Sequence, residues 1–252
     1  MKSIGLTIVL FLTVMSFHCE SSSKNIIVIG HRGAKGHIAE NTLPSIAKAI
    51  ELGVDGIEID VFKCASGELV VFHDKTLENL TNANGYIEDL DLDSIQRIEV
   101  LGSYTIPTLN EVMDLIQGKV FVNIELKGNQ TAIKTNELLE KYFEKEEWFS
   151  EKVLISSFIW EELEQIRKIN KEVPIAILTE DDPLDAIPVG LELDAVSINP
   201  DYETLNDENI QKIQKNGFKI YPWTVNAPKD IRLLIDKGVD GIITDFPERI
   251  VK

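Results

Sequence analysis

Cysteine and basic residues are scarce in this chain of 252 residues. Its 2 cysteines are too few for a disulfide framework, and no Cys-x-x-Cys pair or Cys/His zinc spacing is present. The 25 Lys and Arg residues stand against 42 Asp and Glu, which gives a net charge of -17. Such a surface lacks the positive footprint that non-specific nucleic-acid binding needs, so we expect no nucleic-acid partner. The chain has 9 Pro, 15 Gly and 44% hydrophobic residues. This composition excludes collagen-like and low-complexity chains and indicates a globular protein.

The longest uncharged apolar stretch lies at the N-terminus. It covers residues 4–17, follows Lys2 and ends just before Cys19 and a polar run. It is shorter than the roughly 20 residues of a membrane-spanning helix and has the basic start and apolar centre of an export signal. We predict a signal peptide over residues 1–18, and its end resembles a bacterial lipoprotein signal in which Cys19 is acylated. The protein is therefore expected to be exported, and to be periplasmic, outer-membrane-attached or extracellular, with a possible membrane tether through lipidated Cys19.

Short apolar runs alternate with amphipathic helical patterns along the rest of the chain. One such helix is predicted over residues 45–52, with Gly53 as its C-terminal stop. A strand–helix unit repeated eight times predicts an α/β fold with a parallel TIM (β/α)8 barrel. The alternative is a doubly wound open sheet, but the first strand is followed by Gly-His-Arg-Gly and not by the GxGxxG fingerprint. The eight predicted barrel strands cover residues 26–29, 56–61, 120–126, 153–158, 175–179, 195–199, 219–225 and 241–245.

A long excursion interrupts this rhythm after the second barrel strand. A further strand over residues 69–73 is expected to form a hairpin outside the barrel. Residues 74–104 then carry Asn-, Gly- and Asp-rich turns before a helix that Thr108 caps. We therefore predict one barrel domain over residues 25–252, with a small insertion after the second barrel strand at about residues 64–105. Loops of this length are usually functional or disordered, and this one follows a strand end, on the side where barrel chemistry occurs.

Acidic side chains alternate with apolar ones on two of the predicted strands. Glu58 and Asp60 share one face of their strand, and Glu125 repeats the arrangement on the next barrel strand. Taken alone, this alternation also fits a strand that turns its polar face to solvent. In a barrel strand the apolar set faces the helices, so the three carboxylates point inward, where their charges repel one another. We predict that they bind one divalent cation, and three oxygen ligands suit Ca²⁺ or Mg²⁺ better than zinc.

An internal repeat provides a control for this interpretation. Residues 50–57 and 235–242 share the same helix end and strand start, but Ile243 in the second copy stands where the first has Glu58. The barrel scaffold therefore does not require an acid at that position.

Two histidines and two basic residues are expected at the same mouth of the barrel. His31 and His73 each end a strand, and two imidazoles beside a carboxylate cluster are better explained as an acid and base pair than as surface residues. Arg32 is either a structural ion-pair partner or a clamp on an anionic substrate. Lys127 either favours the same anion or neutralises Glu125. A cation, two basic side chains and two histidines together suit phosphoryl transfer.

Eight short motifs follow one another along the chain, namely HRG at 31–33, ENT at 40–42, GVDGIEIDV at 53–61, VFHD at 71–74, IPTL at 106–109, NIELK at 123–127, WTVN at 223–226 and TDFP at 244–247. Their order and spacing closely resemble those of the glycerophosphodiester phosphodiesterase family. The resemblance runs from about residue 26 to residue 250 and implies a barrel with a small insertion after the second strand. It also implies a divalent cation held by Glu58, Asp60 and Glu125, and hydrolysis of glycerophosphodiesters to glycerol 3-phosphate and an alcohol.

The resemblance implies base and acid roles for the two histidines. In the mechanism we infer, His31 takes the proton of the glycerol 2-hydroxyl, which attacks phosphorus to form a cyclic phosphate, while His73 protonates the leaving alcohol. Arg32 and Lys127 would hold the phosphate, and Trp223 would pack on the glycerol or the head group, although filling of the barrel is its alternative role.

Glu40 belongs either near this site or, with Asn41 as the cap, to the start of the first helix. We expect a small-molecule glycerophosphodiester as the partner, and the sequence indicates no oligomeric state. Two other functions remain open at this point. One is a related phospholipase-type barrel, and the other is a surface lipoprotein that binds phosphodiesters without turnover.

Overall fold

The computed structural model describes residues 25–250. The predicted signal peptide over residues 1–18 and the acylation site Cys19 lie outside this range. Within it, no helix combines the length and the hydrophobicity needed to cross a bilayer.

Eight parallel strands of the described residues form a nearly closed barrel, with helices around its outside. Residues 25–250 contain eleven strands, of which β3, β4 and β5 lie outside the barrel. In chain order they are β1 (Ile27–Gly30), β2 (Gly56–Lys63), β3 (Leu69–Val71), β4 (Glu99–Val100), β5 (Tyr104–Thr105), β6 (Phe121–Leu126), β7 (Val153–Ser157), β8 (Ile175–Thr179), β9 (Ser197–Pro200), β10 (Lys219–Ile220) and β11 (Gly241–Thr244). The helices are α1 (Leu43–Glu51), α2 (Leu92–Ile95), α3 (Leu109–Ile116), α4 (Thr131–Phe143), α5 (Trp160–Ile169), α6 (Ala186–Glu192), α7 (Asp207–Lys215) and α8 (Pro228–Asp236).

Strand pairing follows the order β10-β9-β8-β7-β6-β2-β1-β11, and every neighbouring pair on this path is parallel. Backbone bonds join the two ends of the path, because Asp240 donates to the carbonyl of Ile220 over 3.1 Å and Ile243 donates to that of Pro222 over 3.0 Å. The predicted parallel barrel is therefore confirmed.

The predicted strand over residues 219–225 is regular only at Lys219–Ile220. Pro222 has no N–H to donate, so the ladder is interrupted there. The chain nevertheless stays between its neighbours, since the N–H groups of Trp223 and Val225 bond to Pro200 and Ile243 over 3.1 and 3.0 Å. Trp223 is thereby held at the carboxyl end of the barrel.

Helix α1 begins at Leu43, two residues before its predicted start. Its N-cap is Thr42, whose hydroxyl accepts the N–H of Ser45 over 3.3 Å. The expectation that Asn41 caps this helix is wrong, because the Asn41 side chain instead donates to Asp60 Oδ2 over 2.8 Å. The predicted Thr108 cap of α3 is confirmed, as part of a reciprocal capping box with Glu111.

The segment between β2 and α3 has a small apolar core of its own. Strand β3 pairs antiparallel with β2, in agreement with the predicted hairpin. Strands β4 and β5 form a separate two-stranded sheet. Phe62 from β2 connects the barrel to this core, whose other buried members are Cys64, Val70, Phe72, Leu77, Ile87, Ile95, Ile98, Val100 and Ile106.

Side-chain alternation along the strands divides the barrel into two apolar regions. Ile57, Ile59 and Val61 of β2 are fully buried in the large core between the sheet and the helices. Inside the barrel, a smaller cluster contains Ile29, Leu154, Ala176, Tyr221 and Ile243. The residues of β2 that lie between its apolar ones therefore point into the barrel, as predicted.

Candidate active site

Three carboxylates converge inside the barrel on strands β2 and β6. Parallel register places Glu58 beside Asn123 and Asp60 beside Glu125. One oxygen of each of Glu58, Asp60 and Glu125 lies within 4.8 Å of the others. All three side chains are buried, so neither solvent nor distance relieves their repulsion.

Burial and neighbouring charge set the protonation of these acids. Burial, followed by the charge of Asp60, raises the pKa of Glu58 well above its usual range. The same two causes raise the pKa of Glu125 to about 7. Burial also favours the neutral form of Asp60, but the charges of Arg32 and Lys127 outweigh it and lower the pKa of that carboxyl. The net effect of burial and charge therefore favours the charged form of Asp60 and the neutral forms of Glu58 and Glu125.

Both predicted cationic side chains form ion pairs with this cluster. Arg32 Nε lies 3.2 Å from Asp60 Oδ2, and the other end of the guanidinium bonds to Glu40. Lys127 Nζ lies 2.9 Å from Glu125 Oε1 and 3.7 Å from Asp60 Oδ1. Glu40 therefore lies near the site, which was one of the two alternatives that the sequence left open for it.

A tight turn after β1 brings Arg32 to the acids. Arg32 adopts a positive φ of 50° and Gly33 one of 86°. A Cβ on Gly33 would lie 2.5 Å from the hydroxyl oxygen of Ser45 in α1, so only glycine fits between the turn and the helix. The turn also directs the Arg32 N–H at Glu58 Oε2, over 3.0 Å.

The donor set fits a hard divalent cation. Asp60 uses Oδ2 for Asn41 and Arg32, while its buried Oδ1 has no hydrogen-bond partner among residues 25–250. Both side-chain polar atoms of the buried Asn123 also lack a partner within the described part of the chain. Unsatisfied buried polar groups are costly, and oxygen-only ligands are those that Ca²⁺ and Mg²⁺ prefer. Glu58, Asp60 and Glu125 are thus able to hold one such ion.

His31 is anchored by a carboxylate and an amide that lie far away in the sequence. Its Nδ1 is 2.7 Å from Asp245 Oδ1, just beyond the end of β11. Asn226 donates to the second oxygen of Asp245 over 2.7 Å and accepts the Asp245 N–H over 3.0 Å. Because a carboxylate accepts, Nδ1 carries the proton and the neutral ring keeps Nε2 as its acceptor. Nε2 faces the cluster, 4.0 Å from Glu58 Oε2.

His73, in the chain that follows β3, has the same arrangement. Its Nδ1 lies 2.6 Å from Asp74 Oδ1, and Asn79 donates to Asp74 Oδ2 over 3.0 Å. Each imidazole is therefore oriented through Nδ1 by an aspartate, which an asparagine amide holds in turn. Burial lowers the pKa of both His31 and His73, and it outweighs the hydrogen bonds to Asp245 and Asp74.

A cavity of about 270 Å³ opens at the carboxyl end of the barrel and joins these groups. Seven of the eight predicted site residues line it, namely His31, Arg32, Glu58, His73, Glu125, Lys127 and Trp223. The eighth, Asp60, is buried behind them and bonded to Arg32 and Lys127. Trp223 also packs against the apolar cluster inside the barrel, so it fills the barrel and borders the cavity at the same time.

Several residues of the site were not assigned a role from the sequence. Asp74, Asn226 and Asp245 lie within the quoted motifs, but only the fold shows which imidazole each aspartate contacts. For Asp245 the sequence signal is weak, because it is 214 positions from His31. Phe158 and Glu180 also line the cavity, and each directly follows a barrel strand.

Comparison with known proteins identifies the family. The sequence model of the glycerophosphoryl diester phosphodiesterase family matches residues 31–249. A glycerophosphodiester phosphodiesterase of Caldanaerobacter subterraneus subsp. tengcongensis is 38% identical over 89% of this chain and 96% of its own length. A glycerophosphodiester phosphodiesterase of Bacillus subtilis is 30% identical over 90% of this chain and 86% of the relative.

Solved structures support the same relationship. An Oleispira antarctica phosphodiesterase, in complex with the product sn-glycerol-3-phosphate, superposes with a TM-score of 0.81 at 26% identity over 89% of this chain and 94% of that one. A glycerophosphodiester phosphodiesterase from Thermotoga maritima gives a TM-score of 0.73 at 28% identity, covering 89% and 96%. The match of the family model over nearly all of the described residues, together with these relatives and this barrel, shows that the chain belongs to the glycerophosphoryl diester phosphodiesterase family of enzymes.

Proposed function

We propose that this enzyme hydrolyses glycerophosphodiesters to glycerol 3-phosphate and an alcohol in two steps, using His31 and His73 for proton transfer and a divalent cation at the acidic cluster. The observation that carries the proposal is the pair of imidazoles. Each is held through Nδ1 by an aspartate, and both line the cavity that contains the carboxylates. The Oleispira phosphodiesterase, which was solved with the product sn-glycerol-3-phosphate, supports this choice of product.

In the first step, His31 acts as the general base through Nε2. It takes the proton of the glycerol 2-hydroxyl, whose oxygen attacks phosphorus to form a five-membered cyclic phosphate. His73, which enters this step in its protonated form, gives a proton to the departing alcohol oxygen as its bond to phosphorus breaks. In the second step, the now neutral His73 deprotonates a water that opens the ring, and His31 returns its proton to the 2-hydroxyl. Both histidines thus return to their starting states.

The remaining residues of the site would bind the cation and the substrate. Glu58, Asp60 and Glu125 would bind the divalent cation, which when bound supplies Lewis-acid polarisation and charge neutralisation at the phosphoryl oxygens. Arg32 and Lys127, each already paired with the cluster, would turn their remaining donors to the phosphate. Trp223, at the cavity wall, would pack on the apolar edge of the substrate.

A product assay tests this function directly. The enzyme is incubated with glycerophosphocholine or with intact phosphatidylcholine, and glycerol 3-phosphate, free choline and cyclic phosphate are quantified. We expect glycerol 3-phosphate and choline from the first substrate alone. Release from the intact lipid would indicate a phospholipase-type barrel, accumulation of cyclic phosphate would contradict the second step, and binding without product would indicate a non-catalytic lipoprotein.

Asp245 is expected to act by positioning His31. In Asp245→Asn the side chain keeps its size but can present an N–H instead of an acceptor to Nδ1, which favours the unproductive tautomer. We expect kcat to fall about a hundredfold or more, with KM and the melting temperature changed little. Glu248→Gln removes an exposed acid on the same C-terminal segment, which pairs with His37, and should leave kcat unchanged. Full activity of Asp245→Asn would contradict the positioning role.

We also propose that the mature enzyme is exported and anchored to a membrane through acylated Cys19. The support is the sequence pattern of residues 1–19. A single acyl chain binds a membrane only marginally, whereas two lipid signals together anchor a protein stably. We expect radiolabelled palmitate to be incorporated into the wild-type chain in a bacterial host and to be lost in Cys19→Ser. Equal labelling of both chains would contradict acylation at Cys19.

A further inference from the structure

One wall of the catalytic cavity has no part in metal binding or proton transfer in the proposed mechanism. The metal and proton-transfer residues come from β1, β2 and β6, and from the chain after β3. The other wall comes from the opposite part of the sheet. Phe158 follows β7, Leu178 and Glu180 lie at the end of β8, and Trp223 follows β10.

Two aromatic rings form a corner in this wall. The Phe158 and Trp223 ring centroids lie 5.4 Å apart and the ring planes meet at 88°. The indole is fixed, because its Nε1 donates to the Asn199 carbonyl over 2.8 Å. Both rings are half-buried and border the cavity, so part of each aromatic surface remains available to a ligand.

Glu180 adds a carboxylate to the rim of the same wall. It is exposed, and among residues 25–250 no Lys, Arg or His side chain forms an ion pair with it. Of the other two carboxylates that line the cavity, Glu125 forms an ion pair with Lys127, and Glu58 accepts a hydrogen bond from the backbone N–H of Arg32. A negative charge that has no cationic partner and faces a ligand cavity attracts a positively charged group.

We propose that Phe158, Trp223 and Glu180 form a subsite for a cationic leaving alcohol of the choline type. This inference rests on the proposed function and extends it to the head group. A quaternary ammonium has no N–H to donate and is weakly hydrated, so aromatic faces and a nearby carboxylate are the groups that recognise it. A neutral alcohol such as glycerol can donate a hydrogen bond to Glu180 but carries no net charge for that carboxylate to attract.

The position of Lys127 is compatible with such a head group. Its Nζ lies 5.9 Å from the Phe158 ring centroid, which alone would repel a second cation. Its charge is compensated by Glu125 at 2.9 Å and by Asp60 at 3.7 Å. The substrate phosphate, joined to the choline nitrogen through two carbons and an ester oxygen, adds a negative charge near both cations.

The experiment compares two diesters that differ in head-group charge. For each protein, kcat/KM for glycerophosphocholine is divided by kcat/KM for glycerophosphoglycerol at one pH and ionic strength. We expect this ratio to be about 10 for the wild type, and to fall about fivefold in Glu180→Gln and about fivefold in Phe158→Leu. Asp181→Asn is the matched control, because it removes the same charge from the next residue, which is exposed and does not line the cavity. Its ratio should equal that of the wild type.

The possible outcomes separate the subsite from the reaction itself. A wild-type ratio near one would overturn the subsite and leave the proposed function standing. An equal fall in Asp181→Asn and Glu180→Gln would also overturn it, because a general surface field would then explain the preference. Failure of the wild type to hydrolyse either diester would overturn the proposed function and the subsite with it.

Discussion

Replacing His31 with alanine lowers kcat by about a thousandfold on every glycerophosphodiester, since a positioned general base contributes about 10²–10⁴ to the rate. The loss does not depend on the leaving group, because the 2-hydroxyl must lose its proton whichever alcohol departs. Steady-state kinetics on glycerophosphocholine and on the p-nitrophenyl diester of glycerol 3-phosphate measure this directly.

The matched variant His73→Ala gives a different pattern on the same two substrates. It loses about a thousandfold on glycerophosphocholine, whose alkoxide needs a proton to depart. It recovers formation of the cyclic phosphate on the p-nitrophenyl substrate, because p-nitrophenolate leaves without one. Recovery in His31→Ala instead of His73→Ala would show that the two roles are exchanged. Wild-type rates in either variant on glycerophosphocholine would contradict the role of that histidine.

Removal of divalent cations is the second change with a large expected effect. Chelation of the purified enzyme should abolish turnover, and Ca²⁺, Mg²⁺ and Mn²⁺ added back one at a time should restore it to different extents. The reason is electrostatic, because Glu58, Asp60 and Glu125 lie within 4.8 Å of one another in a buried site. Titration calorimetry measures the affinity for each ion.

Variants and pH separate this site from other acidic patches. Loss of a residue that hydrogen-bonds a metal ligand lowers metal affinity about 10–100-fold. Glu58→Gln and Glu125→Gln change ligands themselves, so we expect each to lower the affinity for the cation about a hundredfold or more. Glu164 is an exposed acid of α5, and Glu164→Gln should leave the affinity for the cation unchanged. The cation must displace protons, and the pKa of Glu125 is raised to about 7, so affinity should fall as the pH decreases below about 7. Full activity after chelation, or equal affinity in Glu58→Gln, would contradict the site.

The barrel and the acidic cluster were predictable because both depend on local patterns. Strand β2 shows this best, since its apolar residues and its acids occupy alternate positions, and a parallel sheet buried on its outer face leaves only one way to orient them. Cys64 and Phe62, by contrast, are buried in the small core of the segment after β2. That packing depends on contacts between residues distant in sequence, which no local period reveals.

The aspartate partners of the two imidazoles could not be predicted from local sequence patterns for the same reason. His73 and Asp74 are neighbours, yet their bond is one of many that adjacent residues can form. His31 and Asp245 meet only because β1 pairs with β11 when the barrel closes. Likewise, sequence alone allowed Asn41 to cap α1, and only the position of Asp60 across the loop shows why Thr42 takes that role.

A crystal structure with Mn²⁺ and glycerol 3-phosphate tests the central claim most directly. We predict a single anomalous peak at about 2.0–2.6 Å from one oxygen each of Glu58, Asp60 and Glu125. The phosphate should lie against that ion, with His31 Nε2 near the glycerol 2-hydroxyl and His73 Nε2 on the opposite side of phosphorus. A manganese peak outside the three carboxylates, or a phosphate out of reach of both imidazoles, would contradict the account.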